Sequence, residues 1–372
     1  MDKNYKICNY CIMDTSDPDI VFDNNNQCNH CKTVLNRLKQ EPFNLTEEEK
    51  EKKLMELVNK IKKDGKNKKY DCLIGVSGGV DSTYVAYFVK KLGLRPLAVH
   101  LDNGWDTELS VNNIELTLKK LNIDLYTKVL DWEEFKDIQL SFLKSSTPGL
   151  DVPTDHAILA TLIETAKKFK INYILSGINY NTESILPLAW GNNGIDWKNI
   201  SAIQKQFGTK KIKHFPHLDL FKTSIDLLTI KQINILNYTN YNKNDVVKII
   251  ESEIGWKNYK TKHGESTLTF FMQAYILPVK FNFDKRRAHL SSLICSNQIT
   301  REYALEQMEK SLYTDSEIKE LTKLVCDKLN ITADEFTKLM KLKNKKYTDY
   351  PNIDNSLILK ILKKGYKIIK FS

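Results

Sequence analysis

The sequence contains no apolar run near the length that a bilayer requires, and this absence excludes a membrane-spanning helix of the usual kind. Such a helix needs roughly 18 consecutive apolar residues, and polar or charged residues interrupt every stretch of that length here. The first residues, Met1-Asp2-Lys3-Asn4, lack the hydrophobic core of a secretion signal. We therefore expect a protein of the cytoplasm with no membrane partner.

The chain also lacks a dense block of basic residues with interleaved aromatic residues, although its net charge is +10. Blocks of that kind mark many surfaces that bind nucleic acid. The lysines are instead spread along the chain, as they are on the solvent-facing sides of helices. We therefore do not expect nucleic acid as a partner. An anionic small substrate such as ATP is equally compatible with the positive charge.

Disulfides are rare in the cytoplasm, so the seven cysteines indicate metal or redox chemistry instead. Four of them form two C-x2-C pairs separated by sixteen residues, a spacing typical of tetrahedral zinc sites: Cys8, Cys11, Cys28 and Cys31. Four thiolate ligands leave no open position, so the predicted Zn²⁺ is structural and supplies folding energy to a small segment. A redox role is the alternative, but neither pair follows a strand in a βαβ unit.

Between residues 70 and 179 the hydrophobic pattern alternates between strands and helices. Short apolar strands are predicted at 71–76, 96–101, 125–129 and 173–176, and helices at 110–121 and 155–169. Repeated βα units predict an α/β fold, a doubly wound parallel sheet with right-handed crossovers. Residues 180–295 are less regular. The chain after Ser296 is predicted to be helical, with capping boxes that begin at Thr314 and Thr332.

A glycine-rich string, Ser-Gly-Gly-Val-Asp-Ser at 77–82, lies directly after a predicted strand and directly before a helix. Glycines there let backbone N–H groups approach an anion, and the helix N-terminus adds the positive end of its dipole. The string is not a Walker A motif, because Gly-Lys-Ser/Thr is absent, and it is not a dinucleotide fingerprint, because G-x-G-x-x-G is absent. It therefore predicts a phosphate-binding loop of another kind.

The same string resembles the pyrophosphate loop of the N-type ATP pyrophosphatases, which include asparagine, GMP and NAD synthetases and the tRNA thiolases. This resemblance implies an adenine nucleotide alpha hydrolase-like fold and cleavage of ATP between its α and β phosphates. The serine hydroxyls would bind phosphate oxygens, and Asp81 would help to position Mg²⁺. The residues expected to contact the nucleotide are Val76, Ser77, Gly78, Gly79, Asp81 and Ser82.

Residues at the ends of two further strands are expected to meet this loop. His100 and Asp102 end the second strand, and Gly177 and Asn179 follow a later one. Because the carboxyl ends of parallel strands face the ligand crevice, we predict that His100, Asp102 and Gly177 bind nucleotide and that Asn179 binds substrate. Ordinary polar residues at strand ends are the alternative for His100 and Asp102.

A Pro-Thr pair opens the helix that precedes the last of these strands. If Thr154 is the N-cap, Asp155 and His156 both lie in the first helical turn. That position makes Asp155 and His156 candidates for substrate binding. An Asp in a first turn also suits the helix dipole without any ligand.

Longer strings over nearly the whole chain resemble one family, the N-acetyl sugar amidotransferases of bacterial surface-polysaccharide and nonulosonic-acid synthesis. The matching strings are residues 8–18, 75–82, 98–105, 153–157, 176–177, 262–266, 275–278 and 284–291. There are two departures. Phe270-Phe271 stands where an arginine is expected after Ser266, and Gly264 stands where an aromatic residue is usual.

The resemblance implies the reaction. The acetamido oxygen of an N-acetyl sugar would attack the α phosphate of ATP, and ammonia would then displace AMP to leave an acetamidino group. Cations must stabilise phosphate charge during the transfer, and the matching strings offer Lys262, Lys285 and Arg286 beside Asp81, with Glu265 as a further substrate contact. A solvated basic helix end is the alternative for residues 284–287. We expect an acidic sugar, for which arginine is an apt ligand.

The source of the ammonia is expected to be another protein. Glutamine hydrolysis needs an activated cysteine, and none of Cys72, Cys295 or Cys326 lies in a Gly-x-Cys-x-Gly turn. The resemblance implies glutaminase and ammonia-channelling partners that resemble the two subunits of imidazole glycerol phosphate synthase. A tRNA thiolase is the alternative function, although the likeness to those enzymes is confined to the first hundred residues.

These patterns divide the chain into four segments. They are a four-cysteine zinc module at 1–40, a helical linker at 41–69 with a capping box at Thr46, a pyrophosphate-loop ATP-binding domain at 70–235, and a substrate-facing and helical C-terminal region at 236–372. The zinc module is expected to resemble a zinc ribbon.

Overall fold

The central feature of the computed structural model, which describes residues 5–191, 196–219, 226, 229–259 and 264–353, is a five-stranded sheet. The strands are β1 (Cys72–Gly75), β2 (Pro96–Asp102), β3 (Asp124–Val129), β4 (Tyr173–Ser176) and β5 (Lys231–Asn234). Their order is β3-β2-β1-β4-β5, and every neighbouring pair is parallel. The chain thus runs outward from β1 in one direction and then in the other. This confirms the predicted doubly wound α/β fold.

Helices make up most of the remaining described chain. They are α1 (Asn29–Leu38), α2 (Glu47–Asp64), α3 (Val80–Lys91), α4 (Glu108–Leu121), α5 (Trp132–Ser145), α6 (Val152–Lys168), α7 (Tyr180–Glu183), α8 (Trp197–Phe207), α9 (Lys243–Ile254), α10 (Thr267–Phe271), α11 (Leu277–Phe281), α12 (Arg286–Cys295), α13 (Arg301–Glu309), α14 (Asp315–Leu329) and α15 (Ala333–Met340). Short 3-10 turns occur at Leu188–Trp190, Ile235–Tyr238 and Tyr347–Asp349. None of the described helices has both the length and the apolar character needed to cross a bilayer.

Helices cover both faces of the sheet because alternate residues of each strand point to opposite sides. Cys72 and Ile74 of β1 belong to the hydrophobic cluster formed with α2, α3 and α4. Leu73 of the same strand packs instead with apolar residues of α6. The segment predicted as a helical linker therefore contains a helix, α2, that packs with the layer on one face of the sheet.

The capping boxes predicted at Thr46, Thr314 and Thr332 are all present. Each threonine hydroxyl oxygen accepts the backbone N–H of a glutamate three residues later, and the carboxylate of that glutamate accepts the backbone N–H of the threonine. These local signals alone position the starts of α2, α14 and α15.

Residues 180–295, predicted to be less regular, contain the short helices α7 to α12 between 3-10 and π-helical turns. A π-helical turn at Met272–Ile276 joins α10 to α11. Such a turn shifts the spacing of buried residues by one position, so Phe271, Met272 and Leu277 do not follow a 3.6-residue period. Helix α5, which the predictions also omitted, packs against α8 and α14 in the largest hydrophobic cluster.

Candidate active site

The loop Ser77–Ser82 connects β1 to α3 at the carboxyl end of the sheet. Gly79 is the N-cap of α3 in an extended conformation and supplies no side-chain cap to the first turn. The hydroxyls of Ser77 and Ser82 lie 3.2 Å apart, and the backbone N–H of Ser77 donates to the Ser82 hydroxyl at 3.3 Å. Two hydroxyls and the positive end of a helix dipole therefore converge at one place. This is the arrangement that suits a phosphate group.

Gly78 holds the loop against the rest of the fold. Its φ of +78° lies in the left-handed region, and a Cβ atom added there would lie 2.5 Å from the carbonyl oxygen of Ser110. The Gly78 carbonyl accepts two hydrogen bonds, from Trp256 Nε1 at 2.8 Å and from the Tyr259 hydroxyl at 3.0 Å. Both the conformation and the close packing require glycine here.

Asp81 lies in the first turn of α3 between two residues from distant parts of the chain. The Tyr241 hydroxyl donates a hydrogen bond to its carboxylate. Burial and the charge of Asp81 both raise the pKa of Tyr241, so the hydroxyl stays protonated and continues to donate. At the end of β4, a Cβ on Gly177 would lie 3.1 Å from the backbone of Asp81. Gly177 is thus beside the loop, as the sequence predicted, and permits this close approach.

His100 faces the loop from the end of β2. Its Nδ1 lies 3.0 Å from the Val76 carbonyl oxygen, and its Nε2 lies 3.2 Å from a carboxylate oxygen of Asp106. Burial lowers the pKa of His100, but the Asp106 carboxylate and the Val76 carbonyl outweigh that effect and raise it overall. Asp102 instead accepts the N–H of Gly104 within its own turn at 2.9 Å.

Asp155 belongs to a group of charged residues around the N-terminus of α6. The helix begins at Val152 with Asp151 as its N-cap, so Thr154 is not the cap. Part of Asp155 is exposed to solvent, but many protein atoms surround it within a longer distance. This surrounding protein and the Asp151 charge raise the pKa of Asp155 to about 7, against the opposing charge of Lys285. Lys285 Nζ lies 4.0 Å from the Asp151 carboxylate.

Glu265 approaches the loop from the C-terminal region. One carboxylate oxygen lies 3.4 Å from the position that a Cβ on Gly79 would occupy. Its backbone carbonyl accepts the N–H of Thr107 at 3.1 Å, which ties this segment to the start of α4. We use the term strand-end cleft for the space at the carboxyl ends of β1, β2 and β4 that the loop, Asp155 and Glu265 border. Lys262 lies outside the described residues.

Two predicted substrate residues are buried and hydrogen-bonded within the protein. His156 has no exposed surface, accepts the N–H of Leu218 at Nε2 over 2.9 Å and stacks on Trp197. Asn179 is only 1% exposed and caps α7, accepting the Thr182 N–H at 3.0 Å. In these positions both side chains stabilise the fold. The structure therefore does not support the substrate contacts predicted for them.

Arg286, predicted to stabilise phosphate charge, is engaged in contacts within the protein. Its guanidinium lies 2.7 Å from the Asp284 carboxylate and donates to the backbone carbonyls of Gln307 and Lys310 at 3.1 and 2.8 Å. These bonds connect the start of α12 to the end of α13. Arg286 therefore positions helices, and Lys285 is the nearer of the two cations to Asp155.

The four predicted metal ligands form one buried cluster. The sulfur atoms of Cys8, Cys11, Cys28 and Cys31 all lie within 4.8 Å of one another, and the closest pairs are 3.6 to 3.7 Å apart. Four thiolates at the usual Zn–S distance of about 2.3 Å lie about 3.8 Å apart. Backbone N–H groups also point at these sulfurs, including Cys28 N to Cys8 Sγ at 3.2 Å. The cluster therefore fits a tetrahedral zinc ion, as the spacing predicted.

Two arginines fasten this cluster to the C-terminal helices. Arg301 of α13 donates to the carbonyls of Cys8 and Cys11 at 3.1 and 3.0 Å. Arg287 of α12 lies 2.8 Å from the Asp14 carboxylate. The preceding residue, Arg286, lines a cavity, so one helix contacts both the four-cysteine module and that cavity.

Several residues at this site were missed because they carry no motif. Tyr241, Trp256 and Tyr259 act through contacts with residues far away in sequence. The Tyr241–Asp81 hydrogen bond, for example, spans 160 positions. A hydroxyl or indole in an irregular segment gives no periodic or spacing signal that sequence reasoning could use.

Replacing Cys28 with serine should remove about one equivalent of zinc and lower the melting temperature, because three thiolates no longer complete the tetrahedral site. Zinc content and thermal unfolding measure the change. Cys326→Ser is the matched control, since Cys326 is also buried but lies outside the cluster, and it should retain the metal. The assignment would be refuted if the wild-type protein contained no zinc, or if it contained an iron–sulfur cluster instead.

Replacing Gly78 with alanine should destabilise the fold by about 1 to 2 kcal/mol from the left-handed conformation alone and should weaken ATP binding. Gly191→Ala is the control, because an added Cβ there meets no atom within 4 Å. Denaturant unfolding and nucleotide titration provide the measurements. Equal stability and equal nucleotide affinity in the two variants would contradict the role given to Gly78.

One part of the chain matches a known protein family. The family model described as LPS biosynthesis protein WbpG-like, C-terminal domain, matches residues 265–365, and no curated protein matches the chain.

Two solved structures show only slight similarity. The predicted subunit of tRNA methyltransferase from Methanocaldococcus jannaschii DSM is 15% identical over 49% of this chain and 75% of its own, with a TM-score of 0.28. The NMN synthetase from Francisella tularensis is 14% identical over 73% and 99%, with a TM-score of 0.30. The family match supports the resemblance to surface-polysaccharide biosynthesis over residues 265–365, which are similar to the C-terminal domain of WbpG-like lipopolysaccharide biosynthesis proteins.

Proposed function

We propose that this chain is an ATP-dependent amidotransferase that converts the N-acetyl group of a sugar to an acetamidino group and releases AMP and pyrophosphate. The observation that carries the proposal is the loop 77–82, where the Ser77 and Ser82 hydroxyls meet at the N-terminus of α3 beside Asp81. The WbpG-like C-terminal domain supports a sugar of surface-polysaccharide synthesis as the acceptor. ATP is abundant in the cytoplasm, where we place the reaction.

In this proposal the loop holds the β and γ phosphates of ATP. The backbone N–H groups of the first turn of α3 and the two serine hydroxyls donate to phosphate oxygens. Asp81 is the carboxylate that would hold Mg²⁺, whose preferred ligands are carboxylate, phosphate and water oxygens. Bound Mg²⁺ neutralises phosphate charge. The contact from Tyr241 fixes the orientation of the Asp81 carboxylate toward that task.

The first step activates the amide. The acetamido oxygen attacks the α phosphorus, the bond from that phosphorus to the oxygen bridging the α and β phosphates breaks, and pyrophosphate leaves with the bonding electrons. The amide oxygen is then part of an adenylyl group, which is a far better leaving group than an amide oxygen. Lys285 lies near Asp151 and Asp155. Among the described cations, we assign Lys285 to stabilise the negative charge that develops on the phosphate oxygens.

The second step adds nitrogen. Ammonia attacks the imidate carbon, the added nitrogen loses a proton, and the bond from the carbon to the adenylyl oxygen breaks to release AMP. We assign the proton to Asp155, which reaches solvent beside Lys285 and Asp151. Its pKa of about 7 suits a group that must accept and release a proton near neutral pH. The product is a protonated amidine.

The alternative, a tRNA thiolase, is disfavoured by the cysteines outside the metal cluster. A sulfur carrier needs an accessible thiol that ionises readily. Cys72, Cys295 and Cys326 are all buried, with at most 4% exposed. Burial raises the pKa of Cys295 to about 12, and it raises the pKa of the other two as well. None of these thiols is suited to accept sulfur in this conformation.

The same burial supports a separate source of ammonia. A glutaminase nucleophile must reach glutamine, and all seven cysteines lie inside the described part of the chain and are buried. We propose a glutaminase partner with an ammonia-channelling subunit, resembling those of imidazole glycerol phosphate synthase. A channel is physically reasonable because most free ammonia is protonated at neutral pH and is not nucleophilic.

The acceptor class decides between the two functions. With α-labelled ATP and Mg²⁺, acidic N-acetyl sugars should stimulate release of AMP and pyrophosphate, and bulk tRNA should not. Labelled AMP separated by thin-layer chromatography is the measurement. Asp81→Asn is the loop control: it keeps the size of the side chain and should abolish release with little change in melting temperature. Stimulation by tRNA alone, or wild-type turnover in Asp81→Asn, would overturn the proposal.

The purified chain should use ammonium and not glutamine. With ATP, Mg²⁺ and sugar, an ammonium salt at alkaline pH should support amidine formation, because more of the nitrogen is then present as free ammonia. Glutamine alone should give no product, since every thiol is buried. Mass spectrometry of the sugar is the readout, because replacing the amide oxygen with nitrogen lowers the mass by about one unit. Robust product from glutamine and this chain alone would show that the partner is unnecessary.

A further inference from the structure

A cavity of about 810 Å³ lies within the C-terminal region, next to the strand-end cleft. Helices α12 and α13 form much of its wall, through His289, Leu290 and Tyr303 among others, and Phe270 and Gln273 form another part. A cavity of this size is within the range that holds nucleotide-sized and drug-sized ligands. None of the loop residues 77–82 lines it, so it is a separate compartment from the phosphate loop.

The lining is rich in positive charge. Four lysine or arginine side chains border the cavity, against one carboxylate: Lys243, Lys285, Arg286, Lys310 and Asp284. Two of the cations are already paired, because Arg286 contacts Asp284 and Lys310 lies 2.9 Å from Glu306. The nearest acid to Lys285 is 4.0 Å away. Among the described residues, Lys243 has no ion-pair partner.

Two short connections join the cavity to the phosphate loop. Lys243 follows two residues after Tyr241, whose hydroxyl binds Asp81. Gln298 in the cavity wall bonds both residues: its side chain accepts the Lys243 N–H at 3.2 Å and donates to the Tyr241 carbonyl at 3.1 Å. On the other side, Lys285 borders the cavity and faces Asp151. Residues of the cavity wall are therefore joined by direct contacts to residues that contact the phosphate loop.

The wall also has features of a ligand site. Gln273 and Ala274 come from the π-helical turn Met272–Ile276, and π-helical turns often occur at functional sites. Tyr303 lines the cavity and is 49% exposed. Phe270, which replaces the arginine expected from the family resemblance, lines the same wall. The positive charge at this cavity comes instead from Lys243, Lys285, Arg286 and Lys310.

We infer that this cavity binds the anionic part of the sugar acceptor, with Lys243 as its main cationic contact, and directs the acetamido group toward the phosphate loop. The inference rests on the proposed function for the identity of the acceptor, but anion binding can be tested without turnover. The anion is a carboxylate on the sugar or a diphosphate on a nucleotide carrier. Both accept charge-assisted hydrogen bonds from lysine.

Calorimetric titration of the full chain tests this site. The phosphate loop is first saturated with α,β-methylene ATP, and uridine diphosphate or glucuronate is then titrated in separate arms. We expect at least one anion to bind, and the arm that does so identifies the source of the charge. Lys243→Gln should weaken that binding by about tenfold or more, because it removes a charged donor. Lys248→Gln, on the same helix but paired with Asp245 outside the cavity, should leave it unchanged.

Three outcomes would overturn the inference: neither anion binds, both lysine variants weaken binding equally, or the ATP analogue abolishes it by occupying the same place. A melting temperature for each variant separates lost binding from lost folding. Failure here with acceptor-stimulated AMP release intact would mean that the acceptor binds elsewhere. Anion binding without AMP release would instead count against the proposed function.

Discussion

The contacts that hold Asp81 determine where much of the candidate active site lies. The close approach of Gly177 fixes the end of β4 against the backbone of Asp81. The hydroxyl of Tyr241 fixes the segment that leads into α9 against its carboxylate. Through Gln298, which bonds both Tyr241 and Lys243, the same constraint reaches the cavity wall. A glycine and a buried hydroxyl, neither of them reactive, thus set the spacing between the phosphate loop and the proposed acceptor site.

Electrostatics divide the site into two environments. Around α6, carboxylates face one another, and the burial and mutual repulsion of these acids favour a proton on Asp155 near neutral pH. Lys285 stands between this acidic group and the cationic cavity. Grouping like charges generally costs stability, and such arrangements are common at functional sites. In the proposed reaction, the acidic region would handle a proton and the basic cavity would hold the anion of the acceptor.

The four-cysteine module contributes to the site from a distance. A segment of about forty residues is too small for a large core of its own, and it packs here against α12 and α13 through Arg287 and Arg301. The same two helices also line the cavity. A metal ion bound by the four cysteines would therefore also stabilise the position of the two helices that form the cavity wall. A structural zinc ion would thus stabilise the wall of the proposed acceptor site without taking part in the proposed reaction.

The sequence by itself determined the features that depend on local patterns. The alternation of strands with helices predicted the parallel sheet, and the spacing of Cys8, Cys11, Cys28 and Cys31 predicted the metal cluster. A glycine-rich string between a strand and a helix marked the loop at residues 77–82. Each of these signals lies within a few neighbouring residues or at a fixed interval. Only the tertiary structure decided which side chains meet. It buried His156 and Asn179, engaged Arg286 between helices, and brought Tyr241 to Asp81. The reason is physical: burial and hydrogen bonding depend on contacts between distant segments, and a single sequence without periodicity in those segments carries no record of them.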